Sequence, residues 1–113
     1  MNIPAIHTDI THVVALAGFI SPKAIQEQFF SGLLKFYRSV IYKQELSDFP
    51  EYANFDGRKS LKNTKTKALI IHSKDDKTCH FENHFGELRG ALADDGNVEF
   101  LEVDGKGHNP NYT

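Results

Sequence analysis

The sequence predicts an α/β domain built on a parallel sheet, and three observations predict it. Three apolar runs rich in β-branched residues, Thr11 to Phe19, Lys67 to Ser73 and Val98 to Val103, have the length of strands. Two stretches of helical periodicity separate them, and turn residues mark the boundaries. The order strand, helix, strand, helix, strand implies right-handed crossovers. It therefore predicts a three-layer arrangement, a parallel βαβαβ sheet with helices packed on it.

The run Thr11 to Phe19 is apolar on both parities, which predicts a strand buried on both faces. Ser21 can cap a helix and Pro22 suits its first turn, so a helix is expected over residues 22–46. Ile25, Phe29, Leu33, Phe36 and Val40 form one stripe, and Phe30, Leu34, Tyr37 and Ile41 the adjacent one. Together they cover about half of the circumference at roughly 100° per residue, enough to contact two neighbours. Asp48-Phe49-Pro50 closes this region, and residues 47–66 read as a loop with a turn or two of helix. Lys67 to Ser73 is a second doubly buried strand, after which Phe81, Phe85, Leu88 and Leu92 recur at helical spacing. Asp94-Asp95-Gly96-Asn97 is a turn that leads into the third strand, Val98 to Val103. There is no internal repeat and no low-complexity segment.

Composition bounds the function. At 113 residues, with 40% apolar and 25% charged residues, the chain is a single domain that can bury roughly two thirds of its unfolded surface. A formal charge of −2 compels neither a nucleic-acid nor an anionic-membrane partner. Cys79 is the only cysteine, which excludes an internal disulfide and suggests a reducing, cytoplasmic setting. The first residues have neither a basic nor an apolar leader segment, and no apolar stretch approaches the roughly 18 residues of a membrane span.

In parallel sheets, functional groups gather at the carboxyl ends of the strands. Two loops qualify, Ser73-Lys74-Asp75-Asp76-Lys77-Thr78 and Asp104-Gly105-Lys106-Gly107-His108-Asn109-Pro110. A carboxylate in one and an imidazole in the other is the arrangement in which an acid orients a histidine that acts as general base. The glycines before His108 let the backbone bend to aim the ring. The bland reading is equally simple: a loop acid at a helix N-terminus and a solvated histidine.

The segment Ala68-Leu-Ile-Ile-His-Ser-Lys-Asp-Asp-Lys-Thr-Cys-His-Phe-Glu82, followed by a helix, a strand and Asp104-Gly-Lys-Gly-His-Asn109, resembles the C-terminal part of an α/β-hydrolase. Ser73 takes the family's small-residue place, so the resemblance assigns the triad acid to Asp76, with Asp75 one register away, and the general base to His108. The 32-residue separation of Asp76 and His108 accommodates one helix and one strand. The region 67–113 then carries the acid and histidine loops, and 22–46 resembles the cap or crossover segment. The resemblance implies a serine hydrolase of carboxylic ester or small acyl substrates that needs no cofactor. The family nucleophile lies in a Gly-x-Ser-x-Gly elbow, and none of Ser21, Ser31, Ser39, Ser47, Ser60 and Ser73 has that context. The resemblance thus places the elbow before Met1 and the family's last helix after Thr113.

Other groups offer weaker signals. Cys79, His80, Glu82 and His84 invite a metal reading, since His80 and His84 are one helical turn apart, but the sequence lacks HExxH and His80 stands at the family's proline position. Cys79 has no feature of an activated nucleophile. His72 ends a buried strand and reads as a packed or hydrogen-bonded core residue. Arg58, Lys59, Lys62, Lys65, Lys67 and Lys74 form a basic run without interleaved aromatics, the usual form of a solvated face and not of a nucleic-acid site. The rival to a hydrolase segment is a non-catalytic α/β binding or assembly module. For it the apolar first strand, lacking a neighbour on one edge, predicts self-association or pairing with a missing N-terminal hydrolase segment.

Overall fold

The computed structural model describes residues 2–62 and 64–108. Asn109 and Pro110, placed in the histidine loop on sequence grounds, lie outside the described residues. Strands β1 (His12–Leu16), β2 (Lys67–Ser73) and β3 (Val98–Val103) form a parallel sheet in the order β1-β2-β3. Val14 stands opposite Leu69, and Ile70 opposite Phe100. β2 and β3 occupy the ranges their apolar runs predict. β1 is shorter than Thr11 to Phe19, because Ala17 turns into the left-handed region at φ 51° and ends the extended run.

One face of the sheet is packed. Ala68, Ile70 and Val98 are buried against Leu61, Phe81, Phe85, Leu88 and Leu92, with Val13, Ala15 and Phe100 at the margin. Leu61 comes from α4 (Gly57–Lys62), and Leu88 and Leu92 from α5 (Glu87–Leu92). The stretch preceding α5, Glu82–Gly86, is a turn of π-helix, so the single helix expected after β2 is widened at its start. Phe81 and Phe85 stack there at 4.8 Å between ring centroids. Burying each of these large side chains contributes about 2 kcal/mol.

The other face corrects two expectations, that the strands are doubly buried and that the fold has three layers. Val14, Leu16 and Leu101 remain 59%, 49% and 47% exposed, and burial alternates along β1. Among the described residues no helix forms a layer there. The segment 22–46, expected as one helix contacting two neighbours, does not form one helix. It breaks into α2 (Pro22–Phe29), a 3-10 turn (Gly32–Leu34) and α3 (Tyr37–Asp48). Phe30 and Ser31 leave the right-handed helical region at ψ 66° and 170°, and Gly32 follows at φ 62°, which interrupts both apolar stripes. α3 buries none of its residues, and Phe29, Leu33, Phe36 and Val40 stay exposed.

The start of α2 follows its sequence signals: Ser21 Oγ accepts from the Ala24 amide at 3.0 Å, with Pro22 in the first turn. Within the expected loop 47–66, Asp56 accepts the Arg58 amide at 2.9 Å and starts α4. The short α1 (Ile3–Ile6) was not anticipated; it buries Pro4 and packs on α4. No helix among the described residues is long and apolar enough to cross a membrane.

Candidate active site

β2 ends in a tight turn that carries Asp76 back beneath the carboxyl edge of the sheet, where its side chain is fully buried. Three donors bond the carboxylate, and His72 stands close by. Oδ1 accepts the amides of Thr78 at 2.8 Å and Cys79 at 2.9 Å. Oδ2 lies 2.9 Å from His108 Nδ1 and 3.2 Å from His72 Nε2. Burial works to raise the Asp76 carboxyl, but the His108 bond and the Cys79 and Thr78 amides outweigh it and hold the group below the ordinary value of 3.8. The acid is therefore a carboxylate at neutral pH.

His108 arrives from the loop after β3. Gly105 and Gly107 adopt φ 69° and 61°, the left-handed conformation glycine reaches without steric cost, and they fold the chain back toward β2. Successive loop residues are then held in turn: the Lys106 amide donates to Ser73 Oγ at 3.2 Å and the Gly107 amide to Asp75 Oδ1 at 3.0 Å. His108 Nδ1 follows, on Asp76. The imidazole is 34% exposed, and among the described residues Nε2 has no hydrogen-bond partner.

The structure thus brings Asp76 and His108 together, and Asp75 does not reach the ring. Asp75 is exposed and holds the Ser73 hydroxyl and the Gly107 amide, which lower its carboxyl below the usual carboxylate value. An open cavity of about 660 Å³ adjoins the acid, lined by Lys74, Asp76, His80, Phe81, Arg89 and Glu102 among others. Glu102 pairs with both Lys74 and Arg89 across it.

Two residues contribute more than sequence reasoning found. His72, 1% exposed, is more than packing: its Nε2–H donates to the Cys79 carbonyl at 2.7 Å, and the same nitrogen lies 3.2 Å from Asp76 Oδ2. The signal was the spacing of four between His72 and Asp76 across a tight turn. Gln28 ties α2 to the acid loop. Its Nε2 donates to the Thr78 carbonyl at 2.5 Å, and its Oε1 accepts from the His80 amide at 3.0 Å and from His84 Nε2 at 2.9 Å. Only its polarity beside the apolar stripe hinted at this.

The remaining candidates do not converge. His84 is buried with both ring nitrogens engaged, Nδ1 facing the Ile20 amide at 3.4 Å and Nε2 on Gln28. Burial pushes its imidazole down to about 4, with His72 and His80 adding to the effect and Asp76 opposing it. Burial, aided by the Asp76 charge, pushes the Cys79 thiol up to about 11, the opposite of an activated nucleophile. Among the described residues no group of three or more His, Cys, Asp or Glu side chains is placed to hold a metal ion. Ser21 caps α2, Ser60 donates to Asn2, and Ser73 serves Asp75, so none of these hydroxyls is on the imidazole. In the basic run, Arg58 pairs with Asp56 and Glu87, and Lys74 with Glu102. Comparison with protein-family models and with curated proteins finds no match.

Proposed function

We propose that the chain is the acid-and-base portion of a serine hydrolase acting on carboxylic esters or small acyl compounds, with the nucleophilic serine supplied from outside these 113 residues. The observation that carries this reading is the 2.9 Å bond from His108 Nδ1 to a buried, ionised Asp76. With the Nδ1 proton held by the acid, the neutral ring keeps its Nε2 lone pair for a serine hydroxyl. In the reaction the serine proton passes to Nε2 as Oγ bonds the acyl carbon, and Asp76 stabilises the resulting imidazolium. The same proton then passes to the leaving oxygen as the carbon–oxygen bond breaks. A water molecule repeats the sequence to release the acid product. A lone, buried cysteine fits a reducing, cytoplasmic setting for such an enzyme.

The open sheet face favours a second reading, a non-catalytic α/β assembly module that self-associates or binds a hydrolase segment through β1 and its exposed apolar neighbours. Native mass spectrometry after fluorophosphonate treatment of the protein purified from its own cells separates the two. Label on a co-purifying polypeptide is the expected result. Label on this chain would overturn the external nucleophile, and an unlabelled, folded chain would favour the module. A clean monomer at high concentration would count against self-association.

A further inference from the structure

We infer that Asp75 is a positioning residue for His108: its carboxylate accepts the Gly107 amide and so sets the loop from which the imidazole reaches Asp76. The inference rests on the reading of Asp76 and His108 as acid and base, and it adds a residue to that site. Three side chains of the β2 turn, Ser73, Asp75 and Asp76, take hold of three consecutive residues, Lys106, Gly107 and His108. The first two contacts are to backbone amides and fix where the chain runs. Only the third is to a side chain, so the direction of the ring depends on the other two.

The loop has little else to hold it. Its two glycines sit in the left-handed region and carry no side chain to pack, and nothing lies within contact distance of where a side chain on Gly105 would be. The Asp104 carboxylate is spent on the neighbouring Gly105 amide and ties the loop only to itself. Among the described residues, the backbone groups that bond across from β3 to β2 beyond the sheet are those of Lys74 with the Val103 carbonyl, Lys106 with Ser73, and Gly107 with Asp75. Ser73 is fully buried, and its hydroxyl links the last two by accepting from Lys106 while donating to Asp75. Removing the Asp75 acceptor therefore frees Gly107 and leaves the Ser73 hydroxyl to reorient. What Asp75 supplies is an acceptor at a fixed place, and Asn can supply the same.

The test is the low-field imidazole proton resonance that a histidine Nδ1–H gives when it donates to a carboxylate, assigned by its disappearance in His108→Gln. Asp75→Ala is expected to abolish the resonance through solvent exchange while the backbone amide spectrum remains that of a folded protein. Asp75→Asn, which keeps the acceptor and removes the charge, is expected to retain it. Retention in Asp75→Ala would overturn the inference, and loss in both variants would overturn it in favour of a purely electrostatic effect. Asp76→Asn tests the reading underneath: the neutral amide is a weaker acceptor, so the resonance should move upfield or vanish. If it is unchanged, the acid–base pair itself fails, whatever the Asp75 variants do. Should Asp75→Ala not fold, Ser73→Ala removes the hydroxyl that braces the same clamp and is expected to weaken the resonance; an unaltered signal would overturn the inference.

Discussion

The two faces of the sheet are made by the same three strands and differ in what lies on them. On one, Ala68, Ile70 and Val98 are sealed by Phe85, Leu88 and Leu92; on the other, Val14, Leu16 and Leu101 are about half exposed. The Asp76–His108 pair stands at the carboxyl edge between them. Asp76 is rooted on the packed side through His72, Gln28 and the turn that leads to Phe81, whereas His108 hangs from a glycine-rich loop on two amide contacts. The comparison teaches that Asp76 is fixed by the core and His108 by the loop that carries Asp75 and Asp76. Damage to the packed face should therefore reach the site, and damage to the open face should not.

The largest expected effect breaks the comparison from the packed side. Phe85 is 1% exposed, and Phe85→Ala should cost about 4 kcal/mol in urea unfolding. A next, smaller effect is a pH dependence set by His84 on that same side. The unfolded imidazole titrates near 6.5 and the folded one near 4, so the unfolded state binds more protons in between. Stability should fall as pH drops from about 6.5 to about 4, by up to about 3 kcal/mol. Unfolding midpoints measured across this range should flatten in His84→Gln. Protonating the ring puts a hydrogen on the nitrogen that faces the Ile20 amide, which is why the neutral form is favoured. Asp76 acts lower still: its folded carboxyl titrates below 3.8, so its contribution is present above that value and lost as pH falls further. The smallest effect sharpens the contrast. Leu101→Ala, on the open face, should change stability by less than about 1 kcal/mol, and a loss near that of Phe85→Ala would mean the face is covered in solution.

The parts of the molecule differ in how far their sequence discloses them. Lys67–Ser73 and Val98–Val103 are short β-branched runs bounded by turn residues, and both local signals agree with the packing, so their bounds match. That Asp76 and His108 meet follows from both loops leaving the carboxyl edge of neighbouring strands, whereas the choice of Asp76 over Asp75 is what the hydrolase resemblance implies. In the helical segment, periodicity runs across a break. Apolar residues continue on stripe through Phe36 and Val40, yet the chain leaves the helix over Phe30, Ser31 and Gly32, which redirects everything after them. Apolar parity along β1 likewise reports which side chains tolerate burial and is silent on whether a second layer exists to bury them. The parts played by His72 and Gln28 depend on partners brought together by the fold, and Gln28 reaches residues 50 or more positions away.

The claim at the centre is that buried Asp76 holds His108, and a double-mutant cycle on folding stability measures it without the nucleophile. Asp76→Ala, His108→Ala and the double variant are compared at neutral pH, so that the Thr78 and Cys79 amides left unpartnered by the loss of Asp76 cancel between the arms. A charge-assisted hydrogen bond at 2.9 Å, on a ring 34% exposed, should give a coupling of about 1 kcal/mol or somewhat more. Effects that add to within about 0.3 kcal/mol would contradict the account.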